Sequence, residues 1–264
     1  MKTQLFARIL GVAVVTAGAL GATGASAQTR VDLDKSLLET FNANYVQNER
    51  AFLDNAADNQ VDLTKLVYKG HGKQKALDIF FVNEGAKSRN ALSLGVNGSD
   101  LRNLVFGDIS STESVFSEAD GVLTLGQGVR YMPNELEPVA QIGSAIELFL
   151  KNKTRSTGTA QYEYSTTLNK NADGLQHVVG YNYNDGKDNW LILGFEDLYG
   201  QLGATGVDMN NRPFNNQNSD RDFNDTVIAI RGLSTQAVPE PGMMMALAGV
   251  TAGLLKLRKK GEEA

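Results

Sequence analysis

The sequence predicts a mainly β fold, an antiparallel, jelly-roll-like β-sandwich with an N-terminal helical segment packed on it. Short apolar runs recur along most of the chain, and clusters of Gly, Asn and Asp separate them, which is the pattern of strands joined by tight turns. The 264 residues include 27 Gly and no Cys, so the chain is long enough for one large domain or two small ones and forms no disulfide.

The segment that follows the first 27 residues has a helical pattern. Apolar side chains recur there at intervals close to 3.6 residues, which places on one helix face Leu33, Leu37, Leu38, Phe41 and Tyr45. We therefore expect one or two amphipathic helices within residues 31–57, with Asp32 or Asp34 as the N-terminal cap. The apolar face is expected to pack on the sheet.

Strand patterns dominate the rest of the chain. Eight short segments are predicted as strands, namely residues 66–69, 77–83, 91–96, 101–106, 121–125, 146–150, 160–164 and 177–183. The loop at residues 184–189 lies between two strong apolar runs and predicts a hairpin. Turn formation is the expected role of its two carboxylates, Asp185 and Asp188.

Two further apolar runs, residues 190–193 and 226–230, are expected to pair antiparallel. The first then ends where the second begins, which brings to one end of the sheet the side chains of Glu196, Asp197, Asp220, Asp222, Asn224 and Asp225. An extended backbone would point Asp220, Asp222 and Asn224 to one side. Asp225 and Phe223 would point to the other side, where Phe223 could reach the core.

These oxygen-bearing side chains predict a calcium site. Crowded carboxylates repel one another unless a cation binds, and calcium takes roughly six to eight oxygen ligands. The lack of Cys and of a nearby His disfavours zinc and copper. An EF-hand is rejected because Asp225 stands where that loop needs Gly and Arg231 where it needs Glu. The alternative is an acidic loop whose side chains only cap turns.

The same region carries two dense motifs, Gly194-Phe195-Glu196-Asp197-Leu198 and Asp220-Arg221-Asp222-Phe223-Asn224-Asp225-Thr226-Val227. Together they resemble the signature of the bacterial family called domain of unknown function 4114. The resemblance is dense over residues 190–231 and weak over residues 80–92. It implies a β-rich extracellular module that binds calcium.

The N-terminal end has the composition of a signal peptide. Residues 1–27 combine a basic start, a short apolar stretch and the small-residue cleavage site Ala25-Ser26-Ala27. The apolar stretch is shorter than the roughly 20 residues that span a bilayer, which disfavours the alternative of a membrane anchor. We therefore expect export of the mature chain.

The C-terminal end combines Pro239-Glu240-Pro241, a short apolar run at residues 243–255 and a basic tail. This order resembles the PEP-CTERM sorting signal of Gram-negative bacteria. The resemblance implies cleavage by an exosortase-type membrane protease and transient membrane association through this segment. It also implies a place in the extracellular matrix or at the cell surface, with exopolysaccharide and biofilm. A plain tail anchor is the alternative.

The chain is thus expected to divide into a signal peptide (1–27), a helical segment (28–60), a β-sandwich (61–233) and a linker with the sorting segment (234–264). Residues 1–27 and 242–264 each carry a net charge of +2, so their removal changes the charge of the chain from −5 to −9. An acidic body disfavours nucleic acid as a partner, because phosphate contacts need Lys and Arg.

Sequence signals of catalysis are weak. The chain has no Gly-x-Ser-x-Gly motif, phosphate loop or dinucleotide fingerprint, and its two histidines, His71 and His177, stand apart from other candidate ligands. Glu84 or Glu196 paired with an Asp leaves a glycoside hydrolase as a lesser hypothesis.

The main functional expectation is an exported, non-enzymatic surface or matrix protein with a structural calcium site. The alternative is a calcium-dependent carbohydrate-binding or adhesin module, in which exopolysaccharide or other surface glycans would contact an aromatic platform of Tyr181, Tyr183 and Tyr199.

Overall fold

Two six-stranded antiparallel sheets packed face to face form the body of the protein, and one α-helix covers the outer face of the first sheet. The computed structural model describes residues 29–46, 61–86, 88–109, 114–115, 121–153, 160–200, 219 and 221–235. The predicted mainly β, sandwich-type fold is confirmed. The signal peptide, Asp220 and the sorting signal at Pro239, Glu240 and Pro241 lie outside the described residues and stay predictions.

The elements begin with β1 (Thr29–Asp32), α1 (Lys35–Tyr45), β2 (Val67–Tyr68), β3 (Leu77–Glu84), β4 (Arg89–Val96), β5 (Asn103–Ile109), β6 (Ser114–Val115) and β7 (Val122–Leu123). They continue with β8 (Gln127–Tyr131), β9 (Ile146–Lys153), β10 (Ala160–Ser165), β11 (Val178–Asn184), β12 (Asn189–Phe195), β13 (Thr226–Arg231) and β14 (Leu233–Ser234). Short 3-10 turns lie at Leu63–Lys65, Pro133–Glu135 and Leu168–Lys170.

The strand order places the candidate site near the middle of the first sheet. That sheet runs β1-β8-β3-β13-β12-β11, the second runs β10-β9-β4-β5-β6-β7, and β14 pairs with β2. The predicted antiparallel pairing of β12 with β13 is confirmed, with Phe195 opposite Thr226. The predicted hairpin between β11 and β12 is also confirmed, with Asn184 opposite Asn189.

All eight predicted strands overlap strands of the structure, but β8 was not predicted. Gly128 and Arg130 interrupt its apolar pattern, and both have a structural reason. A Cβ at Gly128 would lie 2.2 Å from the carbonyl oxygen of Ile79, so only glycine fits this close approach. Arg130 forms an ion pair with Asp78 on the neighbouring strand β3.

The central strands of the first sheet are buried on both faces. Alternate residues of β12 enter two apolar clusters: Leu191 and Leu193 face the second sheet, whereas Trp190 and Ile192 face the helix. This double burial explains why these strands appear in the sequence as continuous apolar runs rather than as alternating patterns.

Helix α1 begins later than predicted. Val31 belongs to strand β1, and the Leu33 amide donates to the Gly126 carbonyl oxygen (2.7 Å), so neither residue is helical. The helix begins after Asp34, whose side chain accepts a hydrogen bond from the Ser36 amide (2.8 Å), as expected of an N-terminal cap. It ends at Tyr45, and the remaining part of the predicted helical range, residues 47–57, lies outside the described residues. Within the residues that the structure places, no helix is long and apolar enough to span a bilayer.

A buried carboxylate, Asp78 on β3, anchors the strand end that lies away from the acidic motifs. It accepts hydrogen bonds from Arg130 Nε (2.7 Å) and Arg231 Nη2 (2.7 Å), and His71 Nε2 lies 2.9 Å away. Burial opposes ionisation, but these three partners outweigh it and hold the pKa of Asp78 well below its usual range. His71, which the sequence left without a partner, therefore belongs to a structural ion-pair network.

Replacing the helix residue Phe41 tests whether α1 is part of the cooperative fold. Phe41 is fully buried and packs edge-on against Tyr183 (ring centroids 5.4 Å apart) and Trp190 (5.7 Å). Phe41→Ala should lower the free energy of unfolding by about 3 to 5 kcal/mol, measured by urea denaturation followed through Trp190 fluorescence.

The control is Glu39→Ala on the same helix, which removes an exposed side chain and its solvent-exposed ion pair with Lys35. It should stay within about 0.5 kcal/mol of the parent, because exposed ion pairs contribute little. A loss below 1 kcal/mol for Phe41→Ala would show that the helix contributes little to the stability of the fold.

The ion-pair network around Asp78 predicts a specific acid sensitivity. Its lowered pKa stabilises the fold above the ordinary aspartate pKa, near 4, and this contribution is lost as the pH falls towards the lower folded value. Asp78→Asn should therefore cost about 3 kcal/mol at pH 7, because two arginines lose their buried partner. The difference between parent and variant should shrink by about 1.4 kcal/mol for each pH unit below 4.

The control is Asp188→Asn, which removes the more exposed partner of the Arg231 guanidinium. It should cost less than about 1 kcal/mol at pH 7. A gap between parent and Asp78→Asn that stays constant down to pH 2 would contradict the assignment.

Candidate metal centre

Three buried carboxylates meet at one end of the β12–β13 pair. Glu196 and Asp197 directly follow β12, and Asp225 directly precedes β13, so the antiparallel register brings them together. One carboxylate oxygen from each lies within 4.8 Å of the others, and the residues are only 0%, 1% and 9% exposed. This arrangement could hold a metal ion.

Backbone amides orient these carboxylates. Asp225 Oδ2 accepts a hydrogen bond from the Asp197 amide (2.7 Å), which ties the two strand ends together. Glu196 Oε1 accepts from the Leu198 amide (3.1 Å), and the Asp225 carbonyl oxygen accepts from the Gly85 amide (3.2 Å). The carboxylates are therefore held in place by the fold itself.

The electrostatics of the cluster favour a positive ion. Burial and the carboxylates of Asp197, Glu196 and Asp222 raise the pKa of Asp225 to about 10, although the Asp197 amide acts in the opposite direction. Negative charges this close in a buried site are stable together only when a proton or a cation offsets them. A bound cation would remove the repulsion and allow all the carboxylates to ionise.

The loop before β13 does not have the extended backbone that the sequence analysis assumed. Arg221 and Phe223 both adopt left-handed conformations, with φ of 60° and 57°, so side chains do not simply alternate between two sides. Asp225 consequently joins Glu196 and Asp197 instead of pointing away from the other ligand candidates. Phe223 is buried in the helix-side cluster, as predicted.

The other three predicted ligands are not members of this group of three carboxylates. Asp222 is buried, and its charge contributes to the raised pKa of Asp225, but it is not among the three residues whose oxygens lie within 4.8 Å. Asp222 Oδ1 accepts from the Asn224 amide (3.2 Å). The side chain of Asn224 lies against Gly85, where an added Cβ would stand 2.7 Å from Asn224 Oδ1. Asp220 lies outside the described residues.

Two asparagines from the second sheet contact Asp197 and were not predicted as site residues. Asn90 on β4 donates from Nδ2 to Asp197 Oδ2 (2.6 Å), and Asn152 on β9 donates from Nδ2 to the Asp197 carbonyl oxygen (2.6 Å). Both are fully buried and lie opposite each other in the β4–β9 register. In the sequence, the only sign of each residue is an amide side chain within an apolar strand. The sequence does not show which part of the other sheet lies opposite that side chain.

His177 supports the cluster through the backbone of Glu196. Its Nδ1 lies 2.9 Å from the Glu196 carbonyl oxygen, and its Nε2 lies 2.8 Å from Asp173 Oδ2. Burial raises the pKa of Asp173, but the hydrogen bond to His177 outweighs it and the pKa is lowered overall. The ring also stacks on Tyr164, with centroids 3.8 Å apart. The expectation that His177 stands alone is therefore wrong.

The aromatic platform proposed for a sugar is not formed. Tyr181 is fully buried beneath Tyr45, and Tyr199 is 2% exposed and stacks on Tyr162. Tyr183 is half-buried against the helix. A surface that these three rings would share with a glycan is thus absent from the described part of the chain.

A cavity of about 430 Å³ lies at the opposite end of β12 from the carboxylates. Its charged lining residues include Lys69, Lys187, Asp188 and Arg231, and Trp190 forms part of its wall. Because β12 separates this cavity from Glu196 by roughly 20 Å, it is not a cleft beside the acidic cluster.

Comparison of the chain with protein-family models, with curated proteins and with solved structures found no match in any of the three.

Proposed function

We propose that this is an exported, non-enzymatic surface or matrix protein whose β-sandwich is closed at one end by a structural calcium ion. The observation that carries the proposal is the convergence of three buried carboxylates within 4.8 Å. The ligands come from the set Glu196, Asp197, Asp220, Asp222, Asn224 and Asp225.

The donor set and its dimensions favour calcium. Calcium binds oxygens at about 2.3 to 2.6 Å, so one ion can contact oxygens that lie up to about 5 Å apart, which covers the observed cluster. The candidate ligands offer only oxygen atoms. The nearby imidazole of His177 is not available as a nitrogen ligand, because both of its ring nitrogens have protein partners.

A structural role is favoured over a catalytic one by burial. Glu196 is fully buried, and a glycosidase acid needs access to the bond that it cleaves. The buried tyrosines likewise provide no platform on which calcium could present a sugar. The ion would instead offset the repulsion of the carboxylates and tie β12 to the loop before β13.

The predicted signal peptide and C-terminal sorting segment support a location outside the cell. Calcium-binding modules of extracellular proteins have dissociation constants of about 0.1 to 1 mM, so even a weak site can function there. The proposed partners are an exosortase-type membrane protease during sorting and exopolysaccharide in the matrix.

Calcium should stabilise the protein strongly and selectively. A ligand that binds only the folded state at about 100 times its Kd adds roughly 2.7 kcal/mol. We expect thermal unfolding of the full chain to shift upward by about 5 to 10 °C with calcium relative to chelator. Magnesium at the same concentration should give a much smaller shift. Equal unfolding temperatures with calcium and with chelator would refute the proposal.

Replacing Asp225 should make the calcium-free protein more stable and should remove most of the stabilisation that calcium provides. Asp225→Asn replaces the carboxyl group with a neutral amide, whose oxygen can still accept the Asp197 amide hydrogen bond. In chelator at pH 7, the variant should be more stable than the parent by about 2 kcal/mol, or roughly 4 to 8 °C in Tm, because it folds without the proton uptake that the raised pKa imposes on Asp225. Its response to calcium should be largely lost.

Asp100→Asn is the matched control, because Asp100 is exposed and lies far along the chain from the cluster. It should behave as the parent does in calcium and in chelator. An Asp225→Asn protein that keeps the full calcium response would exclude Asp225 as a ligand.

A further inference from the structure

The two asparagines beside Asp197 come from the opposite sheet of the sandwich. Glu196, Asp197 and Asp225 belong to the end of the first sheet, whereas Asn90 and Asn152 belong to β4 and β9 of the second. Elsewhere the two sheets meet mainly through apolar side chains. The polar contacts to Asp197 therefore form a bridge between sheets at the site itself.

The orientation of both amides follows from the chemistry of their partners. A carboxylate oxygen and a carbonyl oxygen cannot donate a hydrogen, so Nδ2 of Asn90 must face Asp197 Oδ2 and Nδ2 of Asn152 must face the Asp197 carbonyl. A flipped amide would place two acceptors against each other. The position of each Oδ1 atom is thereby set as well.

Neither Oδ1 atom accepts a hydrogen bond from the residues that the structure describes, although both are fully buried. Buried amide oxygens almost always have a partner, and one left without any is unfavourable. Both atoms belong to side chains that contact Asp197, a member of the carboxylate cluster. A cation satisfies acceptors of this kind, and calcium commonly takes amide oxygens together with carboxylates.

The hydrogen-bond distances place each amide oxygen near an oxygen of Asp197. In an asparagine, Oδ1 and Nδ2 are attached to one carbon by bonds of about 1.23 and 1.33 Å, so Asn90 Oδ1 lies within about 5 Å of Asp197 Oδ2. The same reasoning places Asn152 Oδ1 within about 5 Å of the Asp197 carbonyl oxygen. Two oxygens within about 5 Å can contact one calcium ion, so each contact is compatible with an ion bound beside Asp197.

We infer that Asn90 and Asn152 are amide-oxygen ligands of the cation, so that the bound ion links the two sheets of the sandwich. This inference rests on the calcium site proposed above. The same two side chains hold Asp197 in place through Nδ2 and present Oδ1 to the ion. Calcium binding should therefore stiffen β4 and β9, and not only the strands that carry the carboxylates.

Calcium titration of the full chain by calorimetry tests the ligand assignment. Asn90→Leu and Asn152→Leu should each weaken calcium binding about 10- to 100-fold. Asn103→Leu is the matched control: Asn103 is a buried amide of the same sheet, but its oxygen and nitrogen both have protein partners, the Glu137 amide among them. Asn103→Leu should change the calcium Kd by no more than about twofold, which is much less than the 10- to 100-fold change expected of the other two variants.

Asn90→Asp distinguishes a ligand from a residue that only positions Asp197. The aspartate retains an oxygen for the ion but loses the Nδ2 donor to Asp197. Ligation predicts that Asn90→Asp binds calcium at least tenfold more tightly than Asn90→Leu does. Equal weakening in the two variants would overturn the assignment of Asn90 as a ligand.

Hydrogen exchange of the unmodified protein does not depend on the variants folding. Calcium should slow exchange in peptides from β4 and β9 as well as in those from β12 and β13. Slowing confined to β12 and β13 would overturn the link between sheets while leaving the calcium site intact. A parent protein that binds no calcium would refute the proposed function, and this inference with it.

Discussion

The antiparallel pairing of β12 with β13 is the constraint on which the candidate site depends. Phe195 lies opposite Thr226, so the residues that leave one strand and enter the other must meet at the same sheet end. Both strands are buried on two faces, so a one-residue shift of register would exchange the side chains that pack on the second sheet with those that pack under the helix, and would disrupt both clusters. Packing of the apolar core thus fixes the positions of three carboxylates, although these carboxylates repel one another when ionised.

At the opposite end of the same sheet, a buried carboxylate on β3 is balanced by protein groups alone. Asp78 is as buried as Glu196, but two arginines and His71 surround it, and its pKa is lowered. At the carboxylate end, burial and the neighbouring carboxylates together raise the pKa of Asp225, and no arginine offsets them among the causes of that shift. The contrast shows that the sandwich accommodates a buried carboxylate where arginines surround it, and it supports the proposal of a cation at the other end.

Much of the fold could be predicted from local patterns, whereas the site could be predicted only in part. Runs such as residues 226–230 predict strands because burial on both faces leaves them uniformly apolar. β8 was missed because Gly128 and Arg130 serve contacts with β3 that no local pattern shows. The convergence of Glu196, Asp197 and Asp225 follows from strand order, but the left-handed Phe223 could not be foreseen, and neither could the contacts of Asn90, 107 residues away from Asp197.

The last two strands of the described chain lead away from the carboxylate end of the sheet. β13 runs away from the carboxylate end, and β14 follows it at Leu233–Ser234, beside the cavity that Lys69 and Lys187 line. The last described residue, Thr235, therefore lies at the end of the sheet opposite the carboxylates. A partner or tether that contacted the protein at that end would leave the carboxylate end uncovered.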